Sequence, residues 1–317
     1  MFICVSPNPA IDKRLKVPRL APGQVNRACT TQAFAGGKSA HVAMVLRTLG
    51  ESPVWTGLTG GSTGRELVAG LSALGIQTHP CDMAQPTRTN LEVVEDNGSV
   101  TEILEPGAAP SGEELDAFEK ACEALFAKGR EEAVVIFSGS LPAGVASDFY
   151  ARLIALAHQF GCRAFLDANS DPLGLALAAK PQFVKPNREE AAHLLGIPIE
   201  SLAAASLALR KLLSLGARSA ALSLGTDGLL FCPAAGAPMV FAPALSLPVR
   251  STVGCGDSAL AGFARAFALQ SSPEDAVRLA AACAAANCLA DSPGAARLAD
   301  IQQFQSQILV QKLPSDP

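Results

Sequence analysis

The sequence has little of several features that would point to nucleic acids or metals. Among its 317 residues, aromatic side chains make up 5% and histidines number four, too few for a base-stacking platform or a histidine-rich metal site. The net charge is −4, and lysine and arginine form no cluster larger than an isolated pair such as Lys13 and Arg14. A nucleic-acid groove or an anionic membrane patch requires the opposite balance, so neither partner is expected.

Long hydrophobic runs and paired cysteines are also missing. The longest apolar stretch, residues 279–290, contains Asn287 and is about twelve residues long. A stretch of this length is too short to cross a bilayer. The first residues, MFICVSPNPAID, have no basic segment and only five consecutive apolar residues, so no secretory signal is predicted. Nine cysteines without C-x-x-C spacing fit free thiols in a reducing cytoplasm. We expect a soluble, cytoplasmic globular protein.

The residues that are present favour an α/β fold. Hydrophobic residues make up 49% and charged residues 17%, which allows a large buried core. Short β-rich runs alternate with Ala/Leu-rich helical stretches, the pattern of a parallel sheet with crossover helices. The predicted strands are 2–6, 54–58, 134–138, 164–168, 183–186 and 220–224. The predicted helices include 40–49, 65–74 and 113–127, and the segment 258–313 is predicted to be helical. The expected fold class is a doubly wound, mostly parallel α/β sheet with helices on both faces.

Two segments interrupt the alternation. One lacks a helical period, and the other contains two alternating runs joined by Asn97-Gly98, which predicts a hairpin with a type I′ turn. A hairpin that is apolar on one face needs a cover, so we interpret both segments as a small β-lid that packs over a ligand or against a second subunit. The predicted lid comprises 14–35 and 88–105, and the predicted α/β domain comprises 1–13, 36–87 and 106–317.

Residues 251–263, STVGCGDSALAGF, form the most informative motif. Gly254 and Gly256 let backbone N–H groups turn toward a common point, and a helix beginning near Asp257 adds its positive end, which makes an anion cradle. Beside such a cradle, Asp257 can accept the proton of an attacking hydroxyl in phosphoryl transfer. The spacing also matches a dinucleotide fingerprint, but Glu274, at the required distance, is predicted to lie between two helices rather than at a strand end. The plain alternative is a glycine-rich turn in which Asp257 begins a helix.

Three further segments carry weaker signals. Residues 36–38, Gly-Gly-Lys, form a turn at a helix start, but they fail the Walker pattern because Gln32 stands where that pattern needs glycine. Asn187 and Glu190 form either a capping box or a site for hydrated Mg²⁺ near phosphates. Residues 223–228, SLGTDG, form either a hairpin turn or a loop that faces a nucleotide.

Several single residues are ambiguous on their own. Asp12 lies just past the first predicted strand, where a parallel sheet places its ligand crevice. Arg27 and Arg88 are lone cations at the lid, and each alone is most simply a surface residue. His41 alone fits a packed or solvated helix residue better than a metal ligand, and Cys255 alone fits a small core filler.

Taken in chain order, these segments resemble the ribokinase-like (PfkB) carbohydrate kinases, above all their 1-phosphofructokinase/tagatose-6-phosphate kinase branch. The resemblance covers nearly the whole chain, and the ordered set is specific where each motif alone is weak. The motifs are Asn8-Pro-Ala-x-Asp12, Val25-Asn-Arg27, Gly36-Gly-Lys38, Thr87-Arg-Thr-Asn90, Ser138-Gly-Ser-Leu-Pro142, Lys185-Pro-Asn-x-x-Glu190, Ser223-x-Gly-x-x-Gly228 and Thr252-Val-Gly-x-Gly-Asp257.

The resemblance implies a role for each matching residue. Asp257 would be the base that deprotonates a sugar hydroxyl, in a catalytic group that comprises Gly254, Cys255, Gly256 and Asp257, whose amides form the anion hole. ATP binding is implied for Lys185, Asn187, Ser223, Gly225, Gly228 and Gly256, and Mg²⁺ positioning for Asn187 and Glu190. Substrate binding is implied for Asp12, Arg27, Gly36, Gly37, Lys38, His41, Arg88, Asn90 and Ser140. Three of these cations, Arg27, Lys38 and Arg88, would hold a phosphate already on the sugar. The family's lid also supplies a dimer interface, which implies a homodimer.

Two residues depart from the family's usual Gly-Gly-Lys-Gly-x-Asn, because Ser39 and His41 stand here. The matching Asn faces the sugar, so His41 leaves the identity of the sugar open. The resemblance implies ATP- and Mg²⁺-dependent phosphorylation of a ketohexose phosphate at a primary hydroxyl, with fructose 1-phosphate first and tagatose 6-phosphate and fructose 6-phosphate next. The alternatives are a kinase of a non-phosphorylated sugar or nucleoside, a non-catalytic regulator that binds sugar phosphate or nucleotide, and an NAD-dependent enzyme.

Overall fold

The computed structural model describes residues 1–168 and 170–313, so residue 169 and residues 314–317, at the end of the expected kinase domain, lie outside the described residues. The strands are β1 (Phe2–Ser6), β2 (Ala10–Val17), β3 (Thr30–Gly36), β4 (Pro53–Thr59), β5 (Gln77–Asp82), β6 (Arg88–Glu95), β7 (Val100–Leu104), β8 (Val134–Ser138), β9 (Arg163–Asp167), β10 (Phe183–Val184), β11 (Ala220–Ser223), β12 (Leu229–Cys232), β13 (Met239–Ala242) and β14 (Gln311–Leu313).

The helices alternate with most of these strands. They are α1 (Lys38–Thr48), α2 (Gly61–Ala73), α3 (Gly112–Gly129), α4 (Phe149–Gln159), α5 (Ser170–Leu177), α6 (Arg188–Leu195), α7 (Leu202–Ser214), α8 (Cys255–Ala268), α9 (Pro273–Cys288) and α10 (Leu298–Gln307). None of the helices in the described chain has the length and apolar character that crossing a membrane requires.

The larger of two sheets has ten strands in the order β14-β13-β12-β11-β10-β9-β8-β1-β4-β5. The pairs from β5 across to β11 are parallel, and β12, β13 and β14 extend the sheet with antiparallel strands. Because successive side chains of a strand point to opposite faces, each central strand serves two cores. In β1, Phe2 and Cys4 join the core on one face, while Ile3 and Val5 join the core on the other. This arrangement confirms the expected doubly wound fold class.

Each predicted strand overlaps an observed one, but two predictions were wrong in detail. Residues 258–313 are not helical throughout, because β14 ends the segment and pairs with β13. The turn at Asn97-Gly98 is not of type I′, which needs positive φ at both residues; only Gly98 has it, at 86°. The Glu95 amide donates to the Ser99 carbonyl, so three residues form the loop and Gly98 alone supplies the left-handed conformation.

The second sheet has four strands in the order β3-β2-β6-β7. The strand β2, which comes first in the chain, begins at Ala10, four residues before the predicted start of the lid at residue 14. The strands β2 and β6 are parallel, and their register places Asp12 opposite Asn90 and Ala10 opposite Arg88. A pairing between segments far apart in sequence therefore brings these predicted site residues together.

The helix pair α8–α9 should tolerate no added carbon at Gly262. A Cβ built there would lie 2.6 Å from the Ala280 Cα, a backbone contact that cannot be relieved by a rotamer change. We therefore expect Gly262→Ala to lower the free energy of unfolding by about 1–3 kcal/mol, although alanine is the better helix former. The control is Gly112→Ala in α3, where a Cβ would meet nothing within 4 Å. Urea unfolding of both variants tests this, and equal midpoints would contradict it.

Candidate active site

A cavity of about 440 Å³ lies between the second sheet and the carboxyl ends of β1, β8, β9, β10 and β11. Parallel sheets place their ligand sites at this edge because polar residues that follow each buried strand meet there. The predicted site residues that line the cavity are Asp12, Gly37, Lys38, His41, Arg88, Asn90, Ser140, Lys185, Asn187, Glu190, Ser223, Gly254, Gly256 and Asp257.

The remaining predicted site residues, Arg27, Gly36, Gly225, Gly228 and Cys255, are not among those that line the cavity. Arg27 is exposed in the connection between β2 and β3. Gly36 leaves room for the Asp12 carboxylate, since a Cβ at Gly36 would lie 2.3 Å from the Asp12 Cγ. The Cys255 Sγ lies 3.2 Å from the Cys288 Sγ, so its thiol packs against another thiol. Their roles toward ligands stay predictions.

His41 joins two carboxylates from different parts of the fold. Its Nε2 lies 2.8 Å from the Asp12 Oδ2 in β2, and its Nδ1 lies 2.8 Å from the Asp257 Oδ2 in the first turn of α8. All three side chains are nearly buried. Burial alone would lower the pKa of His41, but the two hydrogen bonds and charges raise it to about 10. His41 is therefore a buried imidazolium at neutral pH.

Asp12 accepts hydrogen bonds on both of its oxygens. The Asn90 Nδ2 donates to Oδ1 at 2.9 Å, and the Gly37 amide donates to Oδ2 at 3.4 Å, beside His41. Burial alone would raise the pKa of Asp12, but His41, with help from Asn90, holds it below its usual value. Asp12 is thus a fixed carboxylate that can accept hydrogen bonds from ligand hydroxyl groups.

Asp167 is the counter-ion of two lysines and was not singled out from the sequence. The Lys38 Nζ lies 3.0 Å from its Oδ1, and the Lys185 Nζ lies 3.0 Å from its Oδ2. Burial opposes ionisation, but Lys185 and Lys38 lower the pKa of Asp167 to about 2. The available signal was its position at the carboxyl end of a predicted strand, which sequence alone did not distinguish from ordinary strand polarity.

Residues 254–257, for which the sequence predicts an anion cradle, form the N-terminus of α8. Gly254 is the N-cap, with φ of 80°, and a Cβ there would lie 2.9 Å from the Pro293 Cβ. A Cβ on Gly256 would lie 3.2 Å from the Lys185 Nζ, so the glycine leaves room for that ammonium group. Asn287 steadies the loop by donating to the Val253 carbonyl at 2.7 Å. The N-terminus of α8 and the Lys185 ammonium group thus lie side by side, a combination that suits an anion.

Asn187 and Glu190 form the capping box that the sequence allowed. The Asn187 Oδ1 accepts from the Glu190 amide at 2.7 Å, and the Glu190 Oε2 accepts from the Asn187 amide at 2.8 Å. The Glu190 Oε1 remains, 3.8 Å from the Lys38 Nζ. The cap therefore fixes a carboxylate at the cavity wall without using both of its oxygens.

Several polar atoms at the site are buried without a hydrogen-bond partner in the described structure. They are the Arg88 Nε, the Asn90 Oδ1 and the Ser138 Oγ, all in residues that line the cavity. Arg88 also donates to the Glu105 carbonyl at 2.7 Å, and burial lowers the pKa of its guanidinium group. Because an unsatisfied buried polar group is costly, these atoms are positions at which a polar ligand would supply the missing hydrogen bonds.

A contact that could not be predicted from the sequence connects the second sheet to the loop before α8. The Arg14 Nε lies 2.6 Å from the Glu92 Oε2, and the Ser251 Oγ donates to the Glu92 Oε1 at 3.1 Å. Arg14 also donates to the Asp291 carbonyl. A nearly buried carboxylate on β6 therefore connects β2 to the loop that precedes the cradle.

The Asp167 ion pairs should matter more for stability than any exposed pair. Asp167→Asn removes the charge that compensates Lys185, which is only 3% exposed. We expect a loss of about 3–5 kcal/mol, because an uncompensated charge would stay buried. The control is Asp96→Asn, which breaks a pair with Lys16 in which both side chains are more than half exposed, and it should cost about 0–1 kcal/mol. Chemical denaturation of both variants measures this, and similar losses would contradict it.

Comparison with known proteins agrees with this geometry. Residues 6–299 match the sequence pattern of the family described as pfkB family carbohydrate kinase. A 1-phosphofructokinase of Rhodobacter capsulatus is 36% identical over 279 residues, which cover 88% of this chain and 87% of the relative. A D-tagatose-1-phosphate kinase of Klebsiella oxytoca is 30% identical over 96% of this chain and 98% of the relative. The crystal structure of the phosphofructokinase-2 from Escherichia coli in complex with fructose-6-phosphate has a TM-score of 0.88 and 25% identity, over 97% of this chain and 98% of that one.

These matches confirm the family that the ordered motifs resemble and the enzyme class that it implies. The family pattern spans most of the chain, and the two relatives are aligned over most of their own length. The chain belongs to the pfkB family of carbohydrate kinases, and it fits the 1-phosphofructokinase branch of that family.

Proposed function

We propose that this carbohydrate kinase transfers the γ-phosphoryl group of MgATP to a primary hydroxyl of a ketohexose phosphate, with fructose 1-phosphate as the first candidate. The observation that carries the proposal is the position of Asp257, whose carboxylate lies at the anion cradle and, through His41, beside Asp12. A base, a cradle for a phosphoryl group and an acceptor for sugar hydroxyls thus share one cavity. The sugar-phosphate kinases among the relatives support this substrate class.

In this mechanism Asp257 accepts the proton of the attacking hydroxyl. The O–H bond breaks as a new O–P bond forms, and the bond from the γ-phosphorus to the bridging oxygen breaks, its electrons leaving with ADP. The amides at the start of α8 stabilise the charge on the transferring group, since they are fixed before the reaction begins. Lys185, which shares the counter-ion Asp167 with Lys38, contributes positive charge beside the same amides.

The residues near the cradle fit magnesium that is bound mainly by phosphate and water. When bound with ATP, Mg²⁺ neutralises part of the phosphate charge. The Asn187 Oδ1 is engaged in the capping box, so its part is to orient the helix start. Glu190 keeps one carboxylate oxygen toward the cavity and would hold a water of the ion.

In this proposal Lys38 and Arg88 contact two different phosphate groups. Lys38 was expected at the sugar's own phosphate, but its contacts with Asp167 and Glu190 favour a role at the transferring phosphoryl group. Arg88 is near Asp12 and has a buried Nε without a partner, which favours contact with the sugar's phosphate. Arg27, exposed in the lid, remains a predicted ligand of that phosphate.

We also propose that the second sheet forms a homodimer interface. Most of β3 and β7 is exposed, including Ile103, whose side chain is 54% exposed. Large apolar side chains on an open sheet favour a protein contact, and a second copy offers a matching surface. Sedimentation analysis of the purified protein would test the assembly.

The first test is release of ADP from MgATP in the presence of fructose 1-phosphate, tagatose 1-phosphate, tagatose 6-phosphate, fructose 6-phosphate and fructose. We expect turnover with a ketohexose phosphate and little with fructose. Asp257→Asn should lower kcat by about 10²–10⁴-fold while ATP still binds, because the carboxamide cannot accept the hydroxyl proton. Asp116→Asn in α3, outside the cavity, is the matched control.

Three outcomes would overturn the proposal or a part of it. Near-wild-type turnover of Asp257→Asn would exclude Asp257 as the base. Turnover of fructose with no preference for any phosphorylated sugar would exclude the substrate class. Binding of ATP without turnover of any sugar in the panel would instead favour a regulator that binds nucleotide.

A second prediction concerns Arg88. Arg88→Met keeps a long side chain but removes the charge and the free Nε donor. We expect the KM for the sugar phosphate to rise about tenfold or more, since hydrogen bonds to charged groups are worth about 1.5–3 kcal/mol. The KM for MgATP should stay unchanged. Arg47→Met, at the exposed end of α1, is the control, and an equal rise in both KM values for Arg88→Met would contradict the assignment.

A further inference from the structure

His41 lies where two carboxylates would otherwise face each other. Asp12 comes from β2 and Asp257 from α8, and each places its Oδ2 2.8 Å from a ring nitrogen of His41 in α1. A carboxylate accepts hydrogen bonds and cannot donate when ionised, so both ring nitrogens must carry hydrogen for both bonds to form. The geometry thus requires an imidazolium that donates in two directions.

The charges around His41 favour this protonated form. Asp12 and Asp257 contact the ring, Glu102 in β7 adds a further negative charge from across the cavity, and Lys38 lies one turn earlier in α1. The other strands packed on α1, which are β1, β3, β4 and β8, contain no charged residue. Two close carboxylates therefore outweigh one lysine that is itself paired with Asp167.

We propose that His41 is a positioning residue that holds the sugar-binding Asp12 and the base Asp257 as one hydrogen-bonded unit. This inference rests on the proposed function. Because His41 engages the Oδ2 of Asp257, Oδ1 is the oxygen left for the substrate hydroxyl. The hydroxyl proton moves to Oδ1 as the O–P bond forms, and His41 keeps both of its ring protons throughout.

The hydrogen-bonded unit fixes the distance between the Asp12 carboxylate, which binds the sugar, and the Asp257 carboxylate, which accepts the proton. Asp12 is fixed by Asn90 and His41, so a sugar hydroxyl that donates to Asp12 has a defined position. The same imidazolium fixes the carboxylate of Asp257, which must meet a different hydroxyl. His41 therefore selects sugars by the spacing between the hydroxyl that binds and the hydroxyl that reacts, and misplacing either group lowers the rate.

Two amide variants separate the two bonds. In His41→Asn the side-chain nitrogen can take the place of Nδ1 and reach Asp257, whereas in His41→Gln it can take the place of Nε2 and reach Asp12. We expect His41→Asn mainly to raise the KM for the sugar phosphate and His41→Gln mainly to lower kcat, each by about ten- to hundredfold. The KM for MgATP should change little in both. His193→Asn, exposed in α6, is the control.

A second measurement does not depend on turnover. In ¹⁵N NMR of the imidazole groups, the His41 signals, assigned by their loss in His41→Asn, should show both nitrogens protonated at pH 8. They should lose a proton only near pH 10, and kcat/KM of the wild type should fall in the same range. His41→Gln should lack that fall. The Lys38 pKa, which Asp167 raises further against the effect of burial, lies above this range.

The outcomes separate this inference from the proposed function. A wild type that phosphorylates no sugar phosphate would overturn the function, while the NMR signals still report on the bridge. A neutral His41 at pH 8 in an active kinase would overturn the bridge alone. Equal changes of kcat and KM in both amide variants would also overturn it, because a merely structural role makes no distinction between the two bonds.

Discussion

Carboxylates that lie buried around a single cavity are the constraint on which this site depends. Asp12, Asp257, Asp167 and Glu92 are all largely removed from solvent. Unpaired buried charges are costly, so each needs a cation or strong donors close by. His41 contacts both Asp12 and Asp257. Two lysines pair with Asp167, and Arg14 pairs with Glu92. The cavity can hold acidic groups in a fixed arrangement only because these cations arrive from other segments.

Helix α1 supplies two of those cations from its first turn. Lys38 and His41 are three residues apart, so they lie on the same face of the helix. Lys38 reaches Asp167 at the end of β9, and His41 reaches Asp12 and Asp257. The Gly36-Gly37 turn makes this possible because Gly37, at φ of 85°, lets the chain pass directly from β3 into the helix. One short motif therefore connects the second sheet, the ten-stranded sheet and the start of α8.

Much of this fold follows from sequence pattern, and so do the residues that follow strands. Apolar runs such as VVIF in β8 predicted buried parallel strands, and the ordered motifs predicted which residues meet at their carboxyl ends. The partner of each charge could not be predicted in the same way. Asp167 has no motif around it, and the Glu92 contacts depend on the pairing of β2 with β6, which joins positions 78 residues apart. Hydrophobic periodicity specifies faces and edges, whereas ion pairs depend on tertiary distances.

His41 illustrates the limit of the sequence most clearly. Against the family pattern it was a substitution of unknown consequence at the sugar, and in isolation it was an ordinary helix residue. Its meaning depends on two carboxylates that lie 29 and 216 residues away in the chain. Two sets of contacts connect the second sheet to the segment around the start of α8: His41 joins Asp12 to Asp257, and Glu92 accepts a hydrogen bond from Ser251. A movement of β2 would displace Asp12 from His41 and Arg14 from Glu92 together. The position of Asp12 and the position of the α8 N-terminus are therefore set by one charge network, so that, in the proposed function, substrate binding at either end acts on both.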